Sequence, residues 1–320
     1  MNQNSKNYYM QQLTKMSEQG KYRRTHSPWH KRFFTWPLSG VGAWITINCM
    51  ALLPIDIASG LMGNIAKLIG PHLSVSNRAR KNLRACFPNW TKRETEIILK
   101  DMWENCGRII GEYPHVQNIN VSGTDKRVEV IGVEHIISMR DDNLPGIVFS
   151  AHLGNWELLP MLAEPNGLEM NFVYRALNSP LAEKVLRRTN NKLSKRLIPK
   201  SRKGAIQMAR ILKEGGHLAI MIDQKLNEGI QVPFFGRPAK TTTALAAFAL
   251  RHRCPTVPAR VERLSGANFR VTFFPPIELP DTGNRETDTK TLMTQVNKIV
   301  ENWIQETPSQ WLWLHRRWGK

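Results

Sequence analysis

The sequence has few cysteines and few acidic residues for its size. Each shortage limits the kinds of protein that the chain can be. Its four cysteines, Cys49, Cys86, Cys106 and Cys254, lie far apart in a chain of 320 residues, with no C-x-x-C pair. A disulfide framework and a zinc ribbon are therefore not expected, and a reducing compartment fits this pattern. The 26 acidic residues are outnumbered by 45 Lys and Arg, which gives a net charge of +19. This excess predicts an anionic partner: nucleic acid, a membrane surface or an acidic protein.

Several motifs that mark other catalytic mechanisms are also missing. The chain has no H-E-x-x-H motif, no G-x-S-x-G elbow, and no phosphate-binding loop of the G-x-x-x-x-G-K or G-x-G-x-x-G type. Zinc hydrolysis, a serine nucleophile on a strand-to-helix turn and a P-loop are therefore not expected. We expect neither a metal site nor any other cofactor.

An uncharged segment lies near the N-terminus. Phe33–Ile55 contains no Asp, Glu, Lys or Arg and follows a basic cluster within residues 21–32. Its length is about that of a spanning helix, but Pro37, Pro54 and its polar residues leave three interpretations open: a spanning helix, an interfacial helix or a buried soluble helix. Tryptophans beside the basic cluster favour membrane contact. We expect a polar segment at 1–32, a membrane anchor at 33–56 and one catalytic domain at 57–320.

The remainder alternates between strand-like and helix-like patterns. Helical stretches are predicted near 57–90, 155–164, 180–195, 204–214 and 240–252, and Thr91 to Glu94 reads as a capping box that starts a further helix. The predicted strands are Val128–Val133, Gly146–Ser150, Asn171–Tyr174, Leu218–Ile222, Thr256–Val261 and Phe269–Phe274. Alternating strands and helices predict an α/β sandwich of three layers around a mostly parallel sheet.

The segment GIVFSAHLGNWELL, residues 146–159, carries the sharpest chemical signal. A strand ends at Ser150, a turn holds His152, and Asn155 is a good N-cap for a helix whose first turn holds Glu157. His152 and Glu157 can meet only if His152 lies outside that helix, in the loop. A carboxylate on one ring nitrogen leaves the other nitrogen free as a general base. From spacing alone, a buried structural histidine and a carboxylate that suits the helix dipole remain an alternative.

The string AHLGNWE resembles the signature of the lysophospholipid-type acyltransferases of the lipid A branch, the late lauroyl and myristoyl transferases of Gram-negative inner membranes. Similar blocks follow in the same order: FVYRALNSP, ARILKEGGHLAIMIDQ, VPFFGRPAKTTTALAAFA and PSQWLWLHRRW. The resemblance runs from about residue 35 to the last block. It implies a glycerolipid acyltransferase-like fold with an N-terminal membrane-associated helix.

The resemblance also implies a reaction and roles for individual residues. An acyl chain moves from acyl carrier protein to a hydroxyl of a lipid A precursor, at the cytoplasmic face of the inner membrane. His152 is then the general base and Glu157 its orienting partner. Arg175 is a candidate for binding the oxyanion or a phosphate of the acceptor. Asp223 and Asn155 are further candidates for contact with the substrate. For Asn155 the helix cap is the favoured role, and Asp223 follows a strand that ends at the same sheet edge as His152.

A basic strip lies between Lys184 and Lys203, with nine Lys and Arg and no acidic residue. An ordinary solvated face would look the same, but such dense like charge favours anionic partners. The resemblance implies two of them, the acidic carrier protein and the phosphorylated glycolipid, and the positive charge adds the anionic inner-membrane surface as a third expected partner. Arg187 and Arg188 are candidates for bidentate hydrogen bonds to a phosphate.

Two alternatives remain for the function. A related acyltransferase could use another glycolipid or an aminolipid as acceptor, such as a phosphatidylinositol mannoside or an ornithine lipid. A protein of another class, a basic nucleic-acid-binding protein, would explain the isoelectric point of about 10.1. The chain shows no RRM, zinc-finger or helix-turn-helix pattern, and its tryptophans cluster with apolar runs, so nucleic acid is not among the expected partners.

Overall fold

A seven-stranded sheet organises the chain in the computed structural model, which describes residues 36–121, 126–174, 176–177, 179–189 and 196–319. The strands are β1 (Val128–Ile131), β2 (Gly146–Ser150), β3 (Met170–Tyr174), β4 (Leu197–Pro199), β5 (His217–Met221), β6 (Ile230–Phe234), β7 (Arg237–Thr241), β8 (Thr256–Arg263) and β9 (Phe269–Phe273). The order in the sheet is β1-β9-β8-β2-β5-β3-β4, while β6 and β7 form a separate hairpin. Neighbouring strands of the seven-stranded sheet are parallel, except β8 and β9, which are antiparallel.

Helices cover both faces of this sheet. The α-helices of the described part of the chain are α1 (Trp36–Ala51), α2 (Ile55–Ile69), α3 (Ser76–Cys86), α4 (Lys92–Glu112), α5 (Val133–Asp141), α6 (Leu159–Ala163), α7 (Pro180–Thr189), α8 (Arg202–Lys213), α9 (Ala244–His252) and α10 (Arg285–Glu306). The predicted capping box at the start of α4 is present, with Thr91 and Glu94 satisfying each other's backbone N–H groups.

Strand β2 shows why the core has two halves. All five of its residues are buried, as expected for a central strand covered on both faces. Ile147 and Phe149 enter a core shared with helices α3, α4, α8, α9 and α10, whereas Val148 enters a second core shared with α5 and α6. The prediction of an α/β fold with a mostly parallel central sheet is confirmed.

The hairpin β6–β7 and the edge strand β4 were not predicted. The hairpin turns at Phe235 and Gly236, which both have positive φ angles of 52° and 65°. Two successive positive φ values are typical of the tight turns that connect adjacent antiparallel strands. Pro233 and Pro238, which flank this turn, hide the strand pattern because proline is rare inside sheets.

The N-terminal uncharged segment is helical from Trp36 onwards and breaks before Pro54, which precedes α2. Residues 1–35 lie outside the described part of the chain. No helix within the described residues combines the length and apolar character needed to cross a bilayer. Contact of the N-terminal segment with a membrane therefore stays a prediction.

Both N-terminal helices pack on the rest of the protein. Helix α1 approaches α7 at Gly40, where an added Cβ would lie 2.6 Å from Leu181. Helix α2 lies directly against α4, because a Cβ at Gly107 or Gly111 would meet backbone carbonyl oxygens of α2 at 2.2 Å. These close approaches fix the two helices while leaving their outer faces uncovered.

Candidate active site

The register between β2 and β5 brings two of the predicted residues together. Ser150 pairs with Met221 at the carboxyl ends of these parallel strands. His152 and Asp223 each follow two residues later, so they stand opposite one another where the strands end. The Nδ1 atom of His152 lies 2.7 Å from Oδ1 of Asp223, and the backbone N–H of His152 donates to Oδ2 at 2.9 Å.

Asp223 is fully buried and accepts a third hydrogen bond, from the indole Nε1 of Trp311 at 2.8 Å. Burial by itself would raise the pKa of this carboxyl. The hydrogen bonds and charge of His152, together with the charge of nearby His315, outweigh burial and hold the pKa of Asp223 well below its usual range. The lowered pKa and the three hydrogen bonds that Asp223 accepts both favour its ionised form.

This carboxylate sets the protonation pattern of the His152 ring. Because ionised Asp223 only accepts hydrogen bonds, the proton of neutral His152 lies on Nδ1 and Nε2 keeps its lone pair. The side-chain amide of Gln224 donates to Nε2 at 3.2 Å. The imidazole is thus oriented as a base, with its reactive nitrogen on the side of Gln224.

Glu157 occupies a different position from the one expected. Both ring nitrogens of His152 have other partners, and the Glu157 carboxylate instead accepts a hydrogen bond from the indole of Trp156 at 3.1 Å. The prediction that Glu157 orients the imidazole through a hydrogen bond is therefore wrong for this structure, since Asp223 does so. Burial raises the pKa of Glu157, and the proximity of His152 lowers it by less. Glu157 still lies beside His152 on the wall of the same cavity.

Asn155 has the capping role that the sequence favoured. Its side-chain oxygen accepts from the backbone N–H of Glu157 at 3.2 Å, at the start of a 3₁₀ turn that leads into α6. Its amide donates to buried Glu112 at 2.7 Å. Asn155 is fully buried, and it holds the loop rather than lining the cavity.

Glu112 is the centre of a buried network under this loop. It receives the amide of Asn155, the hydroxyl of Ser59 on α2 at 2.6 Å, and a bidentate contact from Arg263 at the end of β8. The guanidinium neutralises the buried carboxylate, as a charge in a protein interior requires. Helix α2, helix α4 and the catalytic loop are therefore tied together at one point.

The C-terminal segment, residues 310–315, packs against Asp223 and the loop of His152. Besides the Trp311 contact to Asp223, the backbone N–H of Leu312 donates to the carbonyl of His152 at 3.3 Å. The backbone N–H of Gly154 donates to Gln310 at 3.2 Å. The side chain of Asn82 holds the same segment through the carbonyls of Trp313 and His315. None of these residues was predicted to have a role in the site.

A cavity of about 540 Å³ opens at His152. Its lining runs over three adjacent strands, with Val148 and Ser150 on β2, Ala219, Ile220 and Met221 on β5, and Phe172, Val173 and Tyr174 on β3. It continues past Leu197 on the edge strand β4. Since neighbouring strands lie about 4.8 Å apart, β2 and β4 are separated by roughly 14 Å. The cavity is thus long and mostly apolar, with a base at one end.

The basic candidates fall in different places. Arg187 lines the far part of the cavity, donates to Glu183 at 2.8 Å and contacts the hydroxyl of Tyr174. Arg188 is exposed on the same helix, α7. Arg175, Lys192 and Lys195 lie outside the described residues.

An oriented imidazole at the mouth of an apolar cavity, on the carboxyl edge of an α/β sheet, is an arrangement that can accept a proton beside an apolar ligand. The chain belongs to the bacterial lipid A biosynthesis acyltransferase family, whose model matches residues 24–320. The protein is an acyltransferase of this family.

Curated relatives of known name align with this chain over most of their length. The chain is 27% identical to the lipid A biosynthesis lauroyltransferase of Escherichia coli K12 over 306 residues, which cover 90% of this chain and 92% of the relative. It is 26% identical to the palmitoleoyltransferase of the same strain over 297 residues, with the same shares covered. A lipid A biosynthesis acyltransferase of Haemophilus influenzae is 26% identical over 286 residues, 87% of this chain and 88% of the relative.

Proposed function

We propose that this protein transfers a fatty acyl chain from acyl carrier protein to a hydroxyl group of a lipid A precursor, with His152 as general base. The observation that carries the proposal is the hydrogen bond of 2.7 Å between His152 Nδ1 and Asp223, which leaves Nε2 basic at the mouth of an apolar cavity. The names of the relatives, which include a lauroyltransferase and a palmitoleoyltransferase, support the acceptor class and a fatty acyl donor.

In the proposed reaction, Nε2 of His152 takes the proton of the acceptor hydroxyl while that oxygen attacks the thioester carbonyl carbon. The C–S bond of the tetrahedral intermediate then breaks, and the leaving thiolate takes the proton back from the imidazolium. Asp223 stabilises the imidazolium between these steps without being protonated. General-base assistance of this kind contributes about 10²–10⁴ in rate. The amide of Gln224 must leave Nε2 when the acceptor hydroxyl binds there.

The cavity supplies a place for the acyl chain. Its floor is apolar between His152 and the edge strand, and a chain lying across β2, β5 and β3 would bury its methylene groups there. The thioester carbon would then lie beside the base. Glu157, on the same wall, is the second proposed catalytic group, acting beside His152 rather than through a hydrogen bond to its ring.

The positive charge fits the proposed donor and acceptor. Acyl carrier protein is acidic and the lipid A precursor carries phosphates, so the net charge of +19 attracts both. Arg188 is exposed and available for such a contact. Arg187 is already engaged by Glu183 and Tyr174, so a phosphate would have to share it.

We further propose that the protein works on the cytoplasmic face of the inner membrane, where both substrates can reach it. The support is an exposed apolar row on the outer side of α2, with Leu68 73% exposed. Its spacing of three and four residues places the row on one side of the helix. The members of this α2 row are Ile57, Leu61, Ile65 and Leu68. Leu38 and Trp44 on α1 add exposed apolar surface next to it in the chain.

The decisive experiment is a transfer assay with acyl carrier protein loaded with a lauroyl chain and a lipid A precursor that lacks secondary chains. The His152→Ala variant should lose at least about 10²-fold in kcat, since it removes the base, while its melting temperature stays near that of the wild type. Turnover by His152→Ala near the wild-type level would refute the general base. Wild-type transfer to ornithine lipid instead of the lipid A precursor would refute the acceptor.

A further inference from the structure

The hydroxyl of Ser150 stands out among the buried polar groups of the described residues. Ser150 is only 2% exposed, its Oγ atom is not accessible to solvent, and no group in the described part of the chain forms a hydrogen bond with it. A buried hydroxyl without a partner lowers stability, and an alanine would fill the same position without that cost. Stability therefore does not explain why a serine occupies this position, and a contact with a bound ligand would.

Its position relative to the cavity supplies that explanation. Val148 and Ser150 share one face of β2, and both line the cavity floor. Ser150 is two residues from His152, at the point where the strand ends. The neighbouring floor residues Ala219 and Met221 are apolar, and Tyr174 belongs to β3, two strands away. Ser150 thus offers a polar hydrogen from the floor to a ligand at the His152 end.

We propose that the Ser150 hydroxyl donates a hydrogen bond to the carbonyl oxygen of the acyl donor, and that this bond strengthens as the oxygen becomes negative. The inference rests on the function proposed above. No covalent bond to Ser150 forms. Nδ1 of His152 is held by Asp223, and Nε2 takes the proton of the acceptor hydroxyl, so the ring does not take a proton from Ser150. The oxygen accepts the Ser150 hydrogen bond when the thioester is attacked, and releases it when the C–S bond breaks.

The test compares Ser150→Ala with the wild type in the same transfer assay. One donor to an oxyanion is typically worth about 10²–10³ in kcat. We expect kcat to fall within that range, the KM for the acyl donor to change little, and the melting temperature to stay level or rise. A Ser150→Cys variant, which keeps a weak donor, should fall between the two. A residue that only supported the fold would give the opposite pattern, with lower stability.

Thr256 provides a matched control at another buried position. It is fully buried at the start of β8, its hydroxyl donates to the carbonyl of Cys254 at 3.2 Å, and it does not line the cavity. Thr256→Val should lower the melting temperature and leave kcat unchanged. A Ser150→Ala enzyme with kcat within twofold of the wild type would overturn the inference, as would a loss of activity that follows only a loss of stability. A wild type without any transfer would instead refute the proposed function.

Discussion

Two carboxylates beside one imidazole are set apart by their surroundings. Asp223 receives three hydrogen bonds, two of them from His152, whereas Glu157 receives a single indole N–H. The pKa of Asp223 is accordingly lowered, while burial raises the pKa of Glu157. Opposite shifts in neighbouring groups are characteristic of catalytic sites, where one group stays charged and another exchanges a proton.

These shifts predict opposite effects of pH on stability. The pKa of Asp223 is lower in the folded state, so its stabilisation is present above the ordinary carboxyl range and is lost as pH falls below about 4. The pKa of Glu157 is raised, so ionising it costs stability above that range. Asp223→Asn should therefore reduce the free energy of unfolding at pH 7, whereas Glu157→Gln should increase it.

Urea unfolding of both variants from pH 7 down to pH 3 checks this prediction. The gain from Glu157→Gln should shrink as the pH falls, because the wild-type carboxyl becomes neutral too. If Glu157 is also catalytic as proposed, the same variant should lose activity while it gains stability. A Glu157→Gln protein that is less stable at pH 7 would contradict the assigned shift.

The sequence predicted the loop position of His152 and the cap at Asn155, but it paired the imidazole with Glu157, whereas the structure pairs it with Asp223. Glu157 was favoured because it is close in the chain, and local spacing is all that one segment can show. The pairing of His152 with Asp223 depends on β2 and β5 being neighbours in the sheet. Strand order is set by the packing of the whole chain, so the pattern of residues 146–159 could not reveal it.

At the scale of elements, the C-terminal segment after α10 is part of the active site. It contributes the indole of Trp311, and its backbone contacts the loop of His152 on both sides of Leu153. In the sequence this segment was one block of the family resemblance, PSQWLWLHRRW, and nothing in that block indicated where it packs. Tryptophan is typical of membrane surfaces, but Trp311 and Trp313 are both fully buried in the protein.

These two tryptophans form a matched pair for a test of the segment. Trp311→Phe removes the indole donor from Asp223, while Trp313→Phe removes a donor from the carbonyl of Pro308. Each should cost about 1–3 kcal/mol of stability, because a buried acceptor loses its partner. Only Trp311→Phe should also lower kcat, by about tenfold or more, since it loosens the carboxylate that holds His152.

Thermal unfolding and transfer assays on the two purified variants check this expectation. Equal kcat losses in both variants would show that the tryptophans act only through packing. A Trp311→Phe enzyme with normal kcat would show that Asp223 is held well enough by His152 alone.

For the molecule as a whole, charge and apolar surface suggest two separate contributions to membrane binding. The positive charge should act on anionic lipids and weaken with salt, since screening at physiological ionic strength acts within about 8 Å. The α2 row should act on any lipid surface and resist salt, because burying apolar side chains does not depend on charge.

Flotation with vesicles can separate these contributions. Changing Leu61, Ile65 and Leu68 together to Gln should abolish binding to vesicles of neutral lipid and leave binding to anionic vesicles at low salt. The control changes three exposed apolar residues elsewhere, Ile97, Ile206 and Leu264, to Gln. Equal loss of binding in both triple variants would show that the α2 row has no special part in membrane contact.

The position of Trp311 in the chain also has a consequence for biosynthesis. It is made 88 residues after Asp223, whose carboxylate it covers. While the ribosome is still adding those residues, helices α1 and α2 are already synthesised. Asp223 does not yet have the hydrogen bond from the Trp311 indole. With the membrane contact proposed above, the nascent chain would reach a lipid surface before the site of His152 is complete, and it would become competent only when the segment with Trp311 packs into place.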